Sequence, residues 1–186
     1  FGVGNPCDGP DTDNCNEGVT TCTGCSDVSS DNVEICNGLD DDCDLPAPIV
    51  DEGFDFTSPT TCGNCTTVCA LGLSCNAGSC VTPDVGSIII TEVMIDPTVV
   101  FDTAGEWFEV YNTASYPIDL RKWEIKDLGT NTHVITYDTP VLVPPGGYRV
   151  LGNQRNPAFN GGVTEVYQYS GILMANTPSP GADELL

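Results

Sequence analysis

Lys122-Trp123-Glu124-Ile125-Lys126 alternates charged and apolar side chains at every step. Successive side chains of an extended chain point to opposite faces, so this pattern sets Trp123 and Ile125 against a core and leaves the charges in water. The segments around it have the same character. Residues 88–95, 107–111 and 118–125, then 134–137, 148–151 and 163–169, are rich in β-branched and aromatic residues with turn signals between them. Pro144-Pro145-Gly146-Gly147 is a sharp turn ahead of Tyr148. No segment sustains a 3.6-residue period, so 87–186 is expected to fold as an antiparallel β-sandwich.

Four blocks in this part occur in a telling order: I-I-I-T-E-V-M-I-D-P (88–97), G-E-W-F-E-V-Y-N (105–112), P-I-D-L-R-K-W-E-I-K-D (117–127) and V-P-P-G-G-Y-R-V-L-G (143–152). Together they resemble the lamin-tail domain. The resemblance implies an immunoglobulin-like sandwich from about Ser87 to Leu186, of the kind carried as an accessory module by secreted or surface proteins of bacteria. Such domains continue past Ala182-Asp183-Glu184-Leu185-Leu186 with another strand or hairpin, so it also implies a sandwich lacking its last strand.

The first part of the chain has a different composition. All eleven cysteines fall between Cys7 and Cys80, and all five basic residues come at Arg121 or later. Cysteine in such density belongs to an oxidising compartment, where disulfides replace a core that a short polar segment cannot build. Cys7, Cys15, Cys22, Cys25, Cys36, Cys43, Cys62, Cys65, Cys69, Cys75 and Cys80 are therefore disulfide candidates, and their odd number leaves at least one without a partner in the chain. The start at Phe1, with no initiator Met, fits a processed secreted protein. A net charge of −22 disfavours nucleic acid and anionic membranes, which select for basic patches. No apolar run approaches the eighteen or so residues of a membrane span.

Within this part, residues 34–53 read E-I-C-N-G-L-D-D-D-C-D-L-P-A-P-I-V-D-E-G. Two carboxylates about 4 Å apart repel by roughly 1 kcal/mol in water and by more when partly buried. Either this run is splayed in solvent or a hard cation occupies it. Ca2+ takes six to eight oxygens, and an EF-hand loop supplies them from positions 1, 3, 5, 7 and 12. Asp40, Asp42 and Asp44 fit the first three of those positions and Asp51 the last, with Asn37 and Glu52 as further oxygen ligands. Leu45 stands where that loop needs Gly, Pro46 and Pro48 stiffen the middle, and no helical sequence flanks it. The reading is an EF-like loop in a different setting, which Cys36 and Cys43 would clamp if they pair. Mg2+ fits less well, because it keeps its waters and prefers one or two carboxylates. Asp8, Asp11 and Asp13 form a second acidic cluster that either completes this site, makes another, or is an Asx-rich turn.

The string C-N-G-x-D-D-D-C-D followed by D-E-G resembles the metal-binding repeats of the MopE type found in secreted and surface proteins of bacteria. C-D-G-P-D-T-D-N-C (7–15) and C-G-N-C-x-x-x-C (62–69) are similar to the usual companions of that repeat, so the resemblance spans roughly 5–80.

Other chemistries are weaker. Cys22-x-x-Cys25 and Cys62-x-x-Cys65 could form a four-thiolate zinc site, but they lie far apart and the other cysteines point to disulfides. A redox C-x-x-C would need a βαβ context that is absent. Asn64-Cys65-Thr66 is a formal glycosylation sequon. Copper prefers imidazole or thioether to the oxygens offered here. His133, the single histidine, has no G-x-S-x-G nucleophile elbow to serve and reads as a surface or half-buried strand residue. Glu106 and Glu109, three apart on a strand, point to opposite faces and do not form a catalytic pair.

The sequence thus predicts a mostly β, non-catalytic chain. A disulfide-stapled, loop-rich, Ca2+-binding segment over 1–80 is followed by a linker over 81–86 and an immunoglobulin-like sandwich over 87–186. The expected function is that of an extracellular or cell-surface structural protein that assembles with its own copies into an oligomer or filament, through an open sheet edge or the arm Phe1–Asn5. The alternative is an accessory module that attaches a larger secreted protein or enzyme to a surface or a glycan.

Overall fold

The structure is a computed structural model of the chain, and it describes residues 2–7, 9, 18–26, 34–37, 53–126, 131–164, 167–172 and 174. Two compact units divide the chain: Phe1–Phe56 with Asn64–Thr66, and Thr57–Gly63 with Thr67–Leu186.

The first unit carries β1 (Pro6–Cys7), β2 (Gly18–Thr21) and β3 (Gly24–Cys25) in a small antiparallel sheet of order β1-β2-β3. The sequence predicts a loop-rich segment here and does not show these strands. Strands of two to four residues are too short to show a period in sequence. A disulfide between Cys7 and Cys25 ties the two outer strands across β2. The N-terminal arm, expected to be free to reach a neighbour, is instead held to its own sheet. The Gly4 amide donates to the Thr20 carbonyl at 2.8 Å, the Asn5 amide to Thr20 Oγ1 at 3.0 Å, and Thr20 Oγ1 to the Gly2 carbonyl at 2.8 Å.

The second unit begins with a hairpin, β4 (Ser74–Asn76) and β5 (Ser79–Val81), in a stretch also expected to be loop. Its two central residues, Ala77 and Gly78, have φ of 47° and 77°. Two positive φ values make the turn whose twist matches that of paired strands. The Cys62–Cys75 and Cys69–Cys80 disulfides lock this hairpin to the preceding loop. The expected linker is structured at both ends: Val81 closes β5, and the Ser87 amide donates to the Asp84 carbonyl at 3.0 Å.

Among the described residues eight more strands follow: β6 (Ile88–Met94), β7 (Trp107–Asn112), β8 (Ile118–Asp119), β9 (Glu124–Lys126), β10 (Thr132–Val134), β11 (Leu142–Val143), β12 (Tyr148–Gly152) and β13 (Tyr167–Gln168), with a helical turn α1 (Asp102–Gly105) between β6 and β7. One sheet has the order β13-β12-β7-β6, while β9 pairs with β10 and β8 with β11. All these pairings are antiparallel except β12–β13, which is parallel. Phe108, Val110 and Leu151 from the large sheet bury against Ile118, Ile125 and Val143 from the smaller ones, and against Ile135 just after β10, in one core.

The 122–126 alternation holds. Ile125 is buried and Trp123 packs on the core, while Lys122, Glu124 and Lys126 are exposed. The expected strand 118–125 is nonetheless broken in two. A turn closes from the Trp123 amide to the Leu120 carbonyl at 3.0 Å, and Lys122 takes a φ of 71°. The 144–147 turn forms as read, with the Gly147 amide on the Pro144 carbonyl at 2.9 Å and Gly146 at φ 61°.

Candidate functional site

The acidic run is the first candidate, and most of it, Asp40, Asp42, Asp44, Asp51 and Glu52, lies outside the described residues, as do Asp8, Asp11, Asp13, Cys15 and Cys43. What is described is how the run is anchored. Asn37 is exposed, and its neighbour Cys36 is joined to Cys65, with Cα atoms 5.1 Å apart. The clamp expected between Cys36 and Cys43 is therefore not made. Cys36 crosses instead to the 64–66 segment of the same unit, which ties the chain a few residues before Asp40 to a point 29 residues on from Cys36. Asn64 shapes that segment: its Oδ1 accepts from the Thr66 amide at 2.9 Å and from Thr66 Oγ1 at 3.0 Å.

Cys7–Cys25, Cys36–Cys65, Cys62–Cys75 and Cys69–Cys80 account for the described cysteines except Cys22, which is an exposed free thiol. Cys25 is bridged to Cys7 while Cys22 is free, and Cys62 and Cys65 are bridged to Cys75 and Cys36, so neither C-x-x-C pair is assembled as a zinc or redox motif. The sulfurs of Cys62, Cys69 and Cys80 lie within 4.8 Å of one another. All three are in disulfides, whose sulfurs have no thiolate charge for a metal, so this cluster is packing between two bridges.

Polar groups that sequence patterning missed hold the second unit together. Asp119 is fully buried, and its Oδ2 accepts from Arg121 Nε at 2.7 Å and lies 2.6 Å from the second guanidinium nitrogen. Oδ1 accepts from the Arg121 and Val141 amides at 3.1 and 3.0 Å, and the Asp119 amide donates to the buried Ser74 Oγ at 3.0 Å. One residue thus joins β8, the turn after it, the residue leading into β11 and, through its backbone amide, the disulfide-locked hairpin. Asn112 does similar work, with Nδ2 donating to the Tyr116 and Val143 carbonyls at 2.8 and 2.9 Å and Oδ1 accepting from the Ala114 amide at 2.8 Å. The sequence pattern misleads here, since Ile118-Asp119-Leu120-Arg121 alternates apolar and charged residues and yet all four are buried.

His133 sits half-buried on β10, as read. Its Nε2 lies 2.6 Å from the Tyr167 hydroxyl, and its Nδ1 accepts from the Ser170 amide at 3.4 Å. Loss of solvent lowers its pKa below 6.5, against a smaller opposing push from the Ser170 backbone. Glu106 is buried, its Oε2 accepting from the Met174 amide at 3.2 Å, whereas Glu109 is half-exposed and its Oε1 accepts from Thr91 Oγ1 at 2.7 Å. The two carboxylates belong to opposite faces, as their spacing required.

Two cavities bear on binding. One of about 380 Å3, of mixed character, is lined by Thr103, Asn131, Asn153, Gln168, Tyr169 and Ile172 among others. An apolar groove of about 350 Å3 runs between β6 and β9, over Ile88, Ile90, Leu120, Trp123 and Ile125. Among the described residues no helix is long and apolar enough to cross a membrane.

The four-stranded sheet and the smaller strand pairs, closed on a shared core, define an immunoglobulin-like class of fold. Residues 82–184 match the family model of the lamin tail domain, and the chain belongs to that family. Comparison with curated proteins found no match, and comparison with solved structures found none either.

Proposed function

We propose that the chain is a non-catalytic extracellular structural protein that binds Ca2+ through its acidic cysteine-rich segment and assembles with its own copies into a surface or extracellular filament. One observation carries the reading: a covalently anchored carboxylate run. Cys36–Cys65 fixes the chain one residue before Asn37, and the run that follows spaces Asp40, Asp42, Asp44 and Asp51 as a Ca2+ loop does, with no Lys or Arg in the first 120 residues. The resemblance to MopE-type repeats points the same way. Several disulfides suit an oxidising, extracellular setting, and a lamin tail domain suits a structural role. Ca2+ would also neutralise part of the charge that keeps copies apart.

The test uses the oxidised full chain without reductant. Adding EDTA should lower the melting temperature and open residues 1–56 to protease, and Asp42→Ala should reproduce both effects in Ca2+. If neither EDTA nor Asp42→Ala changes melting or digestion, the site reading is wrong. The accessory-module reading is favoured instead if β6 and its groove bind a foreign partner while the chain stays monomeric in Ca2+.

A further inference from the structure

The geometry points to the open edge of β6, with the groove beside it, as a docking site for an extended strand of another protein. Apolar residues at alternate positions of that strand would enter the groove, and lysine or arginine would occupy the positions between. This inference stands apart from the Ca2+ reading and uses none of its residues.

The first ground is the state of β6. It is the outermost strand of its sheet, and among the described residues it pairs only with β7. Its seven residues, at about 3.3 Å each, offer an edge about 23 Å long, which matches one added strand. Ile88, Ile90 and Val93 stand opposite Asn112, Val110 and Phe108, whose side chains are buried. Cross-strand partners share a face, so these three also point inward. Yet Ile90 and Val93 each keep 39% of their surface exposed. The opposing sheets stop short of β6, and the groove is the space left: Ile88 and Ile90 on one side, Trp123 and Ile125 on the other, Leu120 and Leu151 completing it. A single strand on this edge would extend the sheet by backbone hydrogen bonds and fill the groove with alternate side chains.

The second ground is charge. On the outer face of the same edge Glu92 stands directly opposite Glu109, a like-charge pair that opposes sheet stability unless a cation comes near. Glu124 lines the groove itself. Its nearest cation, Lys126, is 3.9 Å away with both side chains about half-exposed, a geometry that contributes little. The outward positions of an incoming strand therefore meet two carboxylates, Glu92 and Glu109, while Glu124 adds negative charge at the groove, and basic side chains complement them. A second copy of this chain is the poorer occupant, because it brings a further net charge of −22. The register shift at Thr91 distorts the edge locally, a common guard against indiscriminate pairing, and confines the apolar contact to the Ile88–Ile90 half.

The probe is a synthetic eight-residue peptide of alternating Lys and Val, acetylated and amidated, titrated into the oxidised full chain at physiological salt while backbone amide shifts are followed. A block peptide of the same composition, four Lys then four Val, controls for attraction to an acidic protein, and an alternating Glu and Val peptide tests the charge. The alternating Lys peptide should shift amides within 88–94 and bind at least about tenfold more tightly than the block peptide, a 1.4 kcal/mol difference. The double substitution Glu92→Gln with Glu124→Gln, both at exposed positions, should weaken it at least about threefold while leaving the shifts in place. Equal binding of the block peptide, or shifts confined to residues outside β6 and β9, would overturn the proposal. So would concentration-dependent shifts of 88–94 without peptide, which would make a second copy the occupant.

Discussion

Asp119 and Arg121 show how much of the second unit rests on single side chains. Both are buried, and the guanidinium fork and carboxylate satisfy each other while the carboxylate also caps two amides. Removing one member leaves the other charged and dry, which typically costs about 3–5 kcal/mol. Asp119→Ala should therefore lower unfolding free energy by about that much in urea melts. Asp119→Leu combined with Arg121→Met should cost less than Asp119→Ala alone, since no orphan charge remains. If the single substitution is nearly neutral, the pair is not the fastening described here. His133 gives a pH-dependent counterpart. Its folded pKa is lowered from 6.5 by burial, so the unfolded chain binds the proton more readily. The stability contributed by the neutral, buried imidazole is fully present above 6.5 and is lost as pH falls through the lowered folded value. Melting temperatures of wild type and His133→Gln should converge on acidification below 6.5, and parallel profiles would contradict this.

At the scale of elements, the β4–β5 hairpin depends on an approach that only glycine permits. Gly63 has a φ of 73°, and a Cβ there would lie 2.6 Å from Gly78 Cα. The obstacle is backbone, held by Cys62–Cys75 and Cys69–Cys80, and cannot rotate away. Gly63→Ala should cost roughly 2 kcal/mol or more, from the left-handed backbone and the overlap together. Gly86→Ala shares the positive φ but meets nothing within 4 Å, so it should cost only the backbone share. Equal losses at the two positions in thermal melts would mean that the contact contributes nothing.

The same elements show what could be read from sequence and what could not. Long β-branched runs such as 88–94 and the strict 122–126 alternation announce themselves, because burial on one face writes a period of two. Two-residue strands such as β1, β3, β8 and β11 write no period, and they exist only because distant partners and disulfides hold them. The break between β8 and β9 was hidden for another reason: Arg121 is buried, against the habit of its residue type, because Asp119 awaits it. Cysteine partners could not be read at all, since spacing alone suggested Cys36 with Cys43 where the fold joins Cys36 to Cys65. The free thiol was implied by an odd count and is met at Cys22.

At the scale of the whole molecule, the proposal is that a strongly acidic chain uses Ca2+ both to order its cysteine-rich segment and to let its copies approach. Without a counter-ion a net charge of −22 on 186 residues keeps copies apart. Removing Ca2+ should therefore act on association as well as on local order. The most direct measurement is the native mass of the oxidised protein at high concentration in Ca2+ and again after EDTA. The account predicts long particles in Ca2+ that shorten or dissolve in EDTA, whereas a clean monomer of 19.6 kDa in both buffers would contradict it.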